Sequence, residues 1–236
     1  MAEIYLVASG KGGVGKSSFT VAIAKALAAR DKRVLIVDAD VGLRSLDLFI
    51  EGTEAVLYDW GDIINGRCEP EAAIITDKGI SLLTCPLEYG DEFTGEAFGS
   101  LIEQFGSEYD FIVIDAPAGI GNVLKMACRA AKNGIVIATP DNVCVRSACI
   151  AAQVMEENGV ENTRLIINRF RPKAVEKKKL MNIDGVIDNT GVELLGVIPE
   201  DPAIGYGTVY TSRQISTPSI NRIARRLCGE NIPLFN

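Results

Sequence analysis

Ser9-Gly10-Lys11-Gly12-Gly13-Val14-Gly15-Lys16-Ser17-Ser18 is the stretch that decides how this chain is read. From Gly10 it fits the pattern Gly-x-x-x-x-Gly-Lys-[Ser/Thr]. The apolar run Ile4 to Ala8 precedes it, and it is followed by Ser17 to Ala29, which is rich in Ala and Lys and free of Gly and Pro. Strand, glycine-rich loop and helix in that order are the setting a phosphate-binding loop requires. The glycines let backbone N–H groups turn inward around phosphate oxygens. The helix that starts near Lys16 adds the positive end of its dipole. In such a loop Lys16 reaches the β- and γ-phosphates of a nucleoside triphosphate, and the Ser17 hydroxyl sits on Mg2+.

Outward from the loop, short apolar runs alternate with longer amphipathic segments. Arg33 to Val37, Ile80 to Thr84, Phe111 to Ile114, Gly134 to Ala138, Leu165 to Ile167 and Leu194 to Ile198 read as further strands. Glu96 to Phe105, Val123 to Ala131 and Val145 to Glu157 read as helices between them. Continuous apolar strands belong to a parallel sheet covered on both faces. Their alternation with helices predicts an α/β, doubly wound, mainly parallel sheet flanked by helices on both faces. Ligands of such sheets bind at the carboxyl ends of the strands. No Ser/Gly linker, low-complexity tract or internal repeat interrupts the 236 residues, so one domain over 1–236 is expected.

Composition narrows the chemistry. The chain is 47% hydrophobic and 23% charged, enough to bury a large core, and carries a net charge of −7. An acidic chain has no global attraction to DNA or anionic lipid, so nucleic acid is not an expected partner. With no histidine in the sequence, a histidine base or metal ligand is excluded. The six cysteines, at 68, 85, 128, 144, 149 and 228, form no Cys-x-x-Cys pair and read as buried structural thiols. No signal-like leader and no apolar run near the ~20 residues of a membrane span is present, and a cytoplasmic protein is expected.

Two strand ends are acidic. The second strand runs into Asp38-Ala39-Asp40-Val41-Gly42-Leu43-Arg44-Ser45-Leu46-Asp47, with carboxylates at i and i+2 leaving the strand on one side. Oxygen ligands of this kind suit Mg2+. The fourth strand runs into Asp115-Ala116-Pro117-Ala118-Gly119-Ile120-Gly121. Four apolar residues followed by Asp form a Walker B pattern, which assigns Asp115 to Mg2+ through water. Residues Ala116 to Gly121 are expected to form a switch loop.

Lys11 is not demanded by the simple loop pattern. The fragment KGGVGKS resembles the deviant Walker A box of the MinD/ParA superfamily of ATPases, and the segment DADVGLRSLDL is similar to the first switch of its division-site-selecting branch. The usual form there has Asn where Ser45 stands, Ser at Ala116 and an acidic residue at Gly121. The resemblance covers nearly the whole chain. It implies an ATP-dependent dimerising switch that hydrolyses ATP to ADP with Mg2+. Lys16 would act in cis and Lys11 on the partner subunit's nucleotide, completing charge stabilisation in phosphoryl transfer. Asp38, with Ser17 and Asp115, would organise Mg2+, and Asp40 would position the attacking water. Asn168, closing the strand Leu165-Ile166-Ile167, would read adenine, and Pro199, Glu200 and Asp201 would line the base through their backbone.

The same resemblance implies an ATP-dependent homodimer with activator and effector partners of the MinC and MinE type. Thr139-Pro140-Asp141 reads as the capped start of a helix. At the far end, Ile220, Ile223, Ala224 and Leu227 share one helical face, and the bland expectation is a docked helix with solvated arginines. The lipid-inserting extension of the resembled branch has no counterpart beyond Asn236, so membrane contact is expected only through a partner. Two other readings stand beside this one. A flagellar-placement or ParA-type partition ATPase shares the motifs, although a DNA-riding version should show a basic footprint. An iron–sulfur carrier resembling the nitrogenase iron protein would need cluster cysteines in glycine-rich surroundings, which Cys85-Pro86, Cys128-Arg129 and Cys144-Val145 do not match.

Overall fold

A computed structural model describes residues 1–53, 57–204 and 208–234. Its centre is one sheet of eight strands: β1 (Glu3–Ser9), β2 (Val34–Asp38), β3 (Ile74–Asp77), β4 (Ile80–Leu83), β5 (Phe111–Ala118), β6 (Asn133–Ala138), β7 (Asn162–Phe170) and β8 (Glu193–Pro199). The spatial order is β3-β4-β2-β5-β1-β6-β7-β8. All pairings are parallel except β3 with β4. β1 therefore lies in the middle, between β5 and β6, and the loop that leaves it opens where the strand order reverses.

Side-chain alternation along the strands feeds two layers. Val7, Ile36, Ile137 and Ile166 face α1 (Lys16–Ala28) and α8 (Thr217–Leu227). Leu6, Ala8, Leu35, Ile112 and Ile114 face the opposite layer, where α3 (Gly95–Gln104) and α4 (Asn122–Cys128) pack with Trp60 from α2 (Trp60–Ile64). On that side α5 (Asn142–Glu157) and α7 (Ile183–Thr190) cover Val136, Ala138, Leu165 and Ile167. A short α6 (Pro172–Glu176) follows β7. In α1 every residue from Phe19 to Leu27 except Lys25 is buried, which its small, mostly apolar side chains permit.

The doubly wound α/β architecture is as expected, with three differences. β3 is an added antiparallel edge strand, joined to β4 by Lys78 and Gly79, which both carry positive φ (49° and 81°) as a two-residue hairpin turn needs. β5 does not stop at Asp115 but runs to Ala118, because Ser9 of β1 pairs with Ala118 after a register shift. Ala116 to Ala118 are thus strand, not switch loop. At the far end the helix docks as expected through Ile220, Ile223 and Ala224, but its arginines are not simply solvated. Arg226 donates to the carbonyls of Leu195 (2.9 Å), Ile232 (3.1 Å) and Pro233, and Arg225 pairs with Glu230 at 2.7 Å. Of the cysteines, only Cys85, Cys128 and Cys144 are buried; all six are free. Among the described residues no helix is long and apolar enough to cross a membrane.

Candidate functional site

The loop from Gly10 to Gly15 joins β1 to α1 and lies against the start of α5. A side chain at Gly10 would meet the Ser147 carbonyl oxygen at 2.0 Å, so only glycine allows α5 this close. Gly15 caps α1 with φ 94°, and a Cβ there would also sit 2.5 Å from the Asn168 amide nitrogen. Ser9 Oγ donates to the Lys11 carbonyl (3.1 Å) and so tightens the loop entrance. Lys11 itself is exposed, and its charge is felt at Asp141. As expected, Asp141 caps α5, accepting from the Cys144 N–H at 3.0 Å.

At the first turn of α1 the acidic and basic residues converge. Lys16 Nζ lies 2.9 Å from Asp115 Oδ1, with the two side chains only 7% and 0% exposed. Asp115 also accepts from Ser17 Oγ at 2.6 Å and from Thr20 Oγ1 at 3.0 Å. Ser17 Oγ is 3.2 Å from Ser45 Oγ, which brings the segment after β2 onto the same point. Asp38 is Asp115's neighbour on the adjacent strand. It does not stand out at the mouth of the sheet with Asp40. Its carboxylate is buried and turned in, accepting from the Asp40 N–H (2.8 Å) and the Leu46 N–H (3.4 Å). Burial, and then the charge of Asp115, push its carboxyl up to about 7, against the pull of those amides and of Lys16. Asp40 is half-buried and is raised by burial, although Lys16 opposes the shift.

Lys16, Ser17, Asp38 and Asp115 are therefore brought together, with Asp40 next to them. Among the described residues no three carboxylates or thiols form a ready metal cage. The donor set still fits Mg2+: it offers a hydroxyl and two carboxylates, all hard oxygens, and this ion normally keeps waters and phosphate oxygens as its other ligands. The raised Asp38 points the same way. Burial, and then the charge of Asp115, disfavour an ionised Asp38, a penalty that a bound divalent cation would relieve.

Beside the loop lies a cavity of about 370 Å³, lined by Gly15, Ser18, Phe19, Asn168, Arg169 and Pro199 to Pro202 among others. Asn168 is buried and tied on both sides. Its Nδ2 donates to the Val14 carbonyl (2.8 Å) and its Oδ1 accepts from the Arg169 N–H (2.9 Å), with Arg169 at φ 54°. One amide hydrogen of Asn168 remains for a ligand. Asp201 spends its carboxylate on the loop before α8, accepting from the Ser216 N–H (2.9 Å) and hydroxyl (2.8 Å). Burial alone would raise that carboxyl, but these bonds outweigh it and hold it below the ordinary value. Glu200 pairs with Arg171 at 3.4 Å. Sequence reasoning missed Thr20, Arg169, Tyr210 and Ser216. Thr20 carries a local signal, one helical turn after Lys16, and Arg169 directly follows Asn168; Tyr210 and Ser216 come to the site from distant segments and carry none.

With this geometry in place, comparison with known proteins is informative. Residues 5–206 match the CobQ/CobB/MinD/ParA nucleotide binding domain. A putative septum site-determining protein MinD of Emiliania huxleyi is 37% identical over 247 aligned positions, covering 100% of this chain and 91% of that protein. The MinC:MinD cell division protein complex of Aquifex aeolicus superposes with a TM-score of 0.90 at 31% identity, covering 100% of this chain and 99% of that one. The septum site-determining protein MinD of Pyrococcus horikoshii, complexed with Mg-ADP, gives 0.84 at 26% identity, covering 96% of each chain.

Proposed function

This chain belongs to the CobQ/CobB/MinD/ParA nucleotide-binding family, and on that premise we propose how its site works. It is a Mg2+-dependent P-loop ATPase, a dimerising switch of the kind that selects the division site. The observation that carries the reading is the buried cluster in which Lys16, Ser17 and Thr20 of α1 meet Asp115 of β5. Lys16 neutralises Asp115 here. With ATP bound, Lys16 would turn to the β- and γ-phosphates, and Ser17, Asp115 and Asp38 would hold Mg2+, which would supply charge to offset the negative charge that develops on the phosphates. Asp40, on the exposed side of the cluster, orients the attacking water. Gly10 to Ser18 cradle the phosphates. The free amide hydrogen of Asn168 reads the base, and the backbone from Pro199 to Asp201 lines it.

Lys11, exposed beside the start of α5, reaches the nucleotide of a second copy. The rim around it supports a dimer: Leu43 (73% exposed), Leu48 (78%), Ile120 (44%) and Val143 (60%) are large apolar residues in or just beyond the segments that follow three of the strands. A MinC-type protein is the partner that the Aquifex complex suggests for the assembled dimer. One domain over 1–236 carries all of this.

Light scattering of an Asp40→Ala variant in ADP and in ATP with Mg2+, with Lys11→Ala added as control, tests the proposal. A monomer in ADP that doubles its mass in ATP, and fails to do so without Lys11, is expected. A monomer in both nucleotides removes the dimer from the mechanism.

A further inference from the structure

Asp59 and Trp60, at the start of α2, touch the segment that carries Asp38 and Asp40 at two places. Trp60 is completely buried, and its indole N–H donates to the Asp38 main-chain carbonyl at 2.8 Å. That carbonyl lies where β2 ends, in the dry interior, and would otherwise lose a partner there. The ring has no freedom to drift. Phe93 and Phe98 meet it edge-on with centroids at 4.8 Å and 5.3 Å, and the Trp60 main-chain N–H donates to the Thr84 carbonyl at 3.1 Å.

The second touch is ionic. Asp59 Oδ2 accepts from Arg44 at 3.0 Å, while its Oδ1 accepts from the Gly61 and Asp62 N–H groups. Asp62 returns a bond to the Asp59 N–H, so the carboxylate sits in a closed capping box and cannot swing. Arg44 also donates to the Cys85 carbonyl at 2.8 Å. It adopts φ 44°, an unusual conformation for a non-glycine residue, which the surrounding bonds must enforce. The turn Ser45–Leu48 starts right after it and delivers Ser45 to Ser17, and the Leu46 N–H to Asp38.

We propose that Asp59 and Trp60 act together as a positioning pair for ATP hydrolysis, pinning the segment from Asp38 to Leu48 at Asp38 and at Arg44 so that Asp38, Asp40 and Ser45 keep their places around Ser17 and Asp115. Neither residue lines the cavity beside the phosphate loop. They act through Asp38 and Arg44, as outer partners do when they orient groups around a metal ion. The inference rests on the roles proposed above for Asp38 and Asp40.

Trp60→Phe keeps the aromatic packing and deletes the N–H. Asp59→Ala removes the Arg44 contact and the cap, and Asp59→Asn restores the cap but not the Arg44 contact, because its amide nitrogen cannot accept a hydrogen bond. Steady-state ATP hydrolysis over a Mg2+ titration, beside a thermal melt of each variant, is the measurement. For Trp60→Phe and Asp59→Ala, kcat should fall about tenfold and the Mg2+ needed for half-maximal rate should rise about tenfold, with KM for ATP within about twofold of the parent. Asp59→Asn should recover part of both. Wild-type kcat and Mg2+ requirement in Trp60→Phe and Asp59→Ala overturn the proposal, as does a fall in kcat that only follows loss of folded protein. An Asp40→Ala control separates the layers. If it hydrolyses ATP normally, the assignment of the site has failed; if it is dead while Trp60→Phe is unimpaired, only the positioning pair has.

Discussion

β5 has one aspartate facing a cation just before it and another inside it, in opposite surroundings. Just before its first residue, Asp110 meets Arg33 at 3.2 Å with the side chains 37% and 62% exposed. Five residues on, Asp115 meets Lys16 at 2.9 Å with almost no exposure. Arg33 holds the Asp110 carboxyl below its ordinary value through hydrogen bonds in water-like surroundings. An exposed pair of this type gains little, because water and salt screen it. The Lys16–Asp115 pair is different. Taking both charges out of water is costly, and a packed apolar pair of the same size would stabilise the fold at least as well. The proposed site gives the buried pair at the carboxyl end of the sheet a use, since charge there would be handed to a phosphate and a metal ion. The outer end only closes a strand.

Removing one partner at each end breaks the comparison most directly. Lys16→Ala should abolish ATP turnover and lower the stability of the ligand-free protein by about 3 kcal/mol, at the lower end of the range for a stranded buried charge because Ser17 and Thr20 still donate to Asp115. Denaturant unfolding and ATP hydrolysis assays check both. An unchanged stability would mean that Asp115 never depended on Lys16.

The next effect is on pH. The folded protein holds the Asp38 proton more tightly than the unfolded chain does, since burial raises that carboxyl from 3.8 to about 7. Its contribution to stability is complete below the ordinary value and is lost as pH rises through about 7. The melting temperature of the ligand-free protein should therefore drop between about pH 4 and about pH 7, and Asp38→Asn should flatten that drop. Equal slopes in the two proteins would place the burden on another group. Smallest is the outer pair: a double-mutant cycle on Arg33→Ala and Asp110→Ala should return a coupling of about 0–1 kcal/mol. A coupling as large as the buried one would undo the contrast.

The local order of the chain determined much. The loop from Gly10 to Ser18 needs only neighbours in sequence: a strand before it, glycines free to take positive φ, and a helix after it. The parallel core was equally plain, because strands covered on both faces must be apolar throughout. The capped start of α5 at Asp141 is also a matter of adjacent residues. The edge strand β3 was less visible, since four residues with a polar face carry little pattern and their place depends on pairing with β4. α7, between the Asn182 cap and the left-handed Gly191, escaped notice with Gly185 in its first turn. Only tertiary structure decided that Asp115 lies inside a strand, because β1 and β5 set that register between them. Only tertiary structure turned Asp38 inward and delivered Trp60 to its carbonyl from 22 residues away. A motif written along one segment can be read from that segment. The dryness of a charge and the partner of a buried carbonyl depend on residues that become neighbours only when the sheet closes over them.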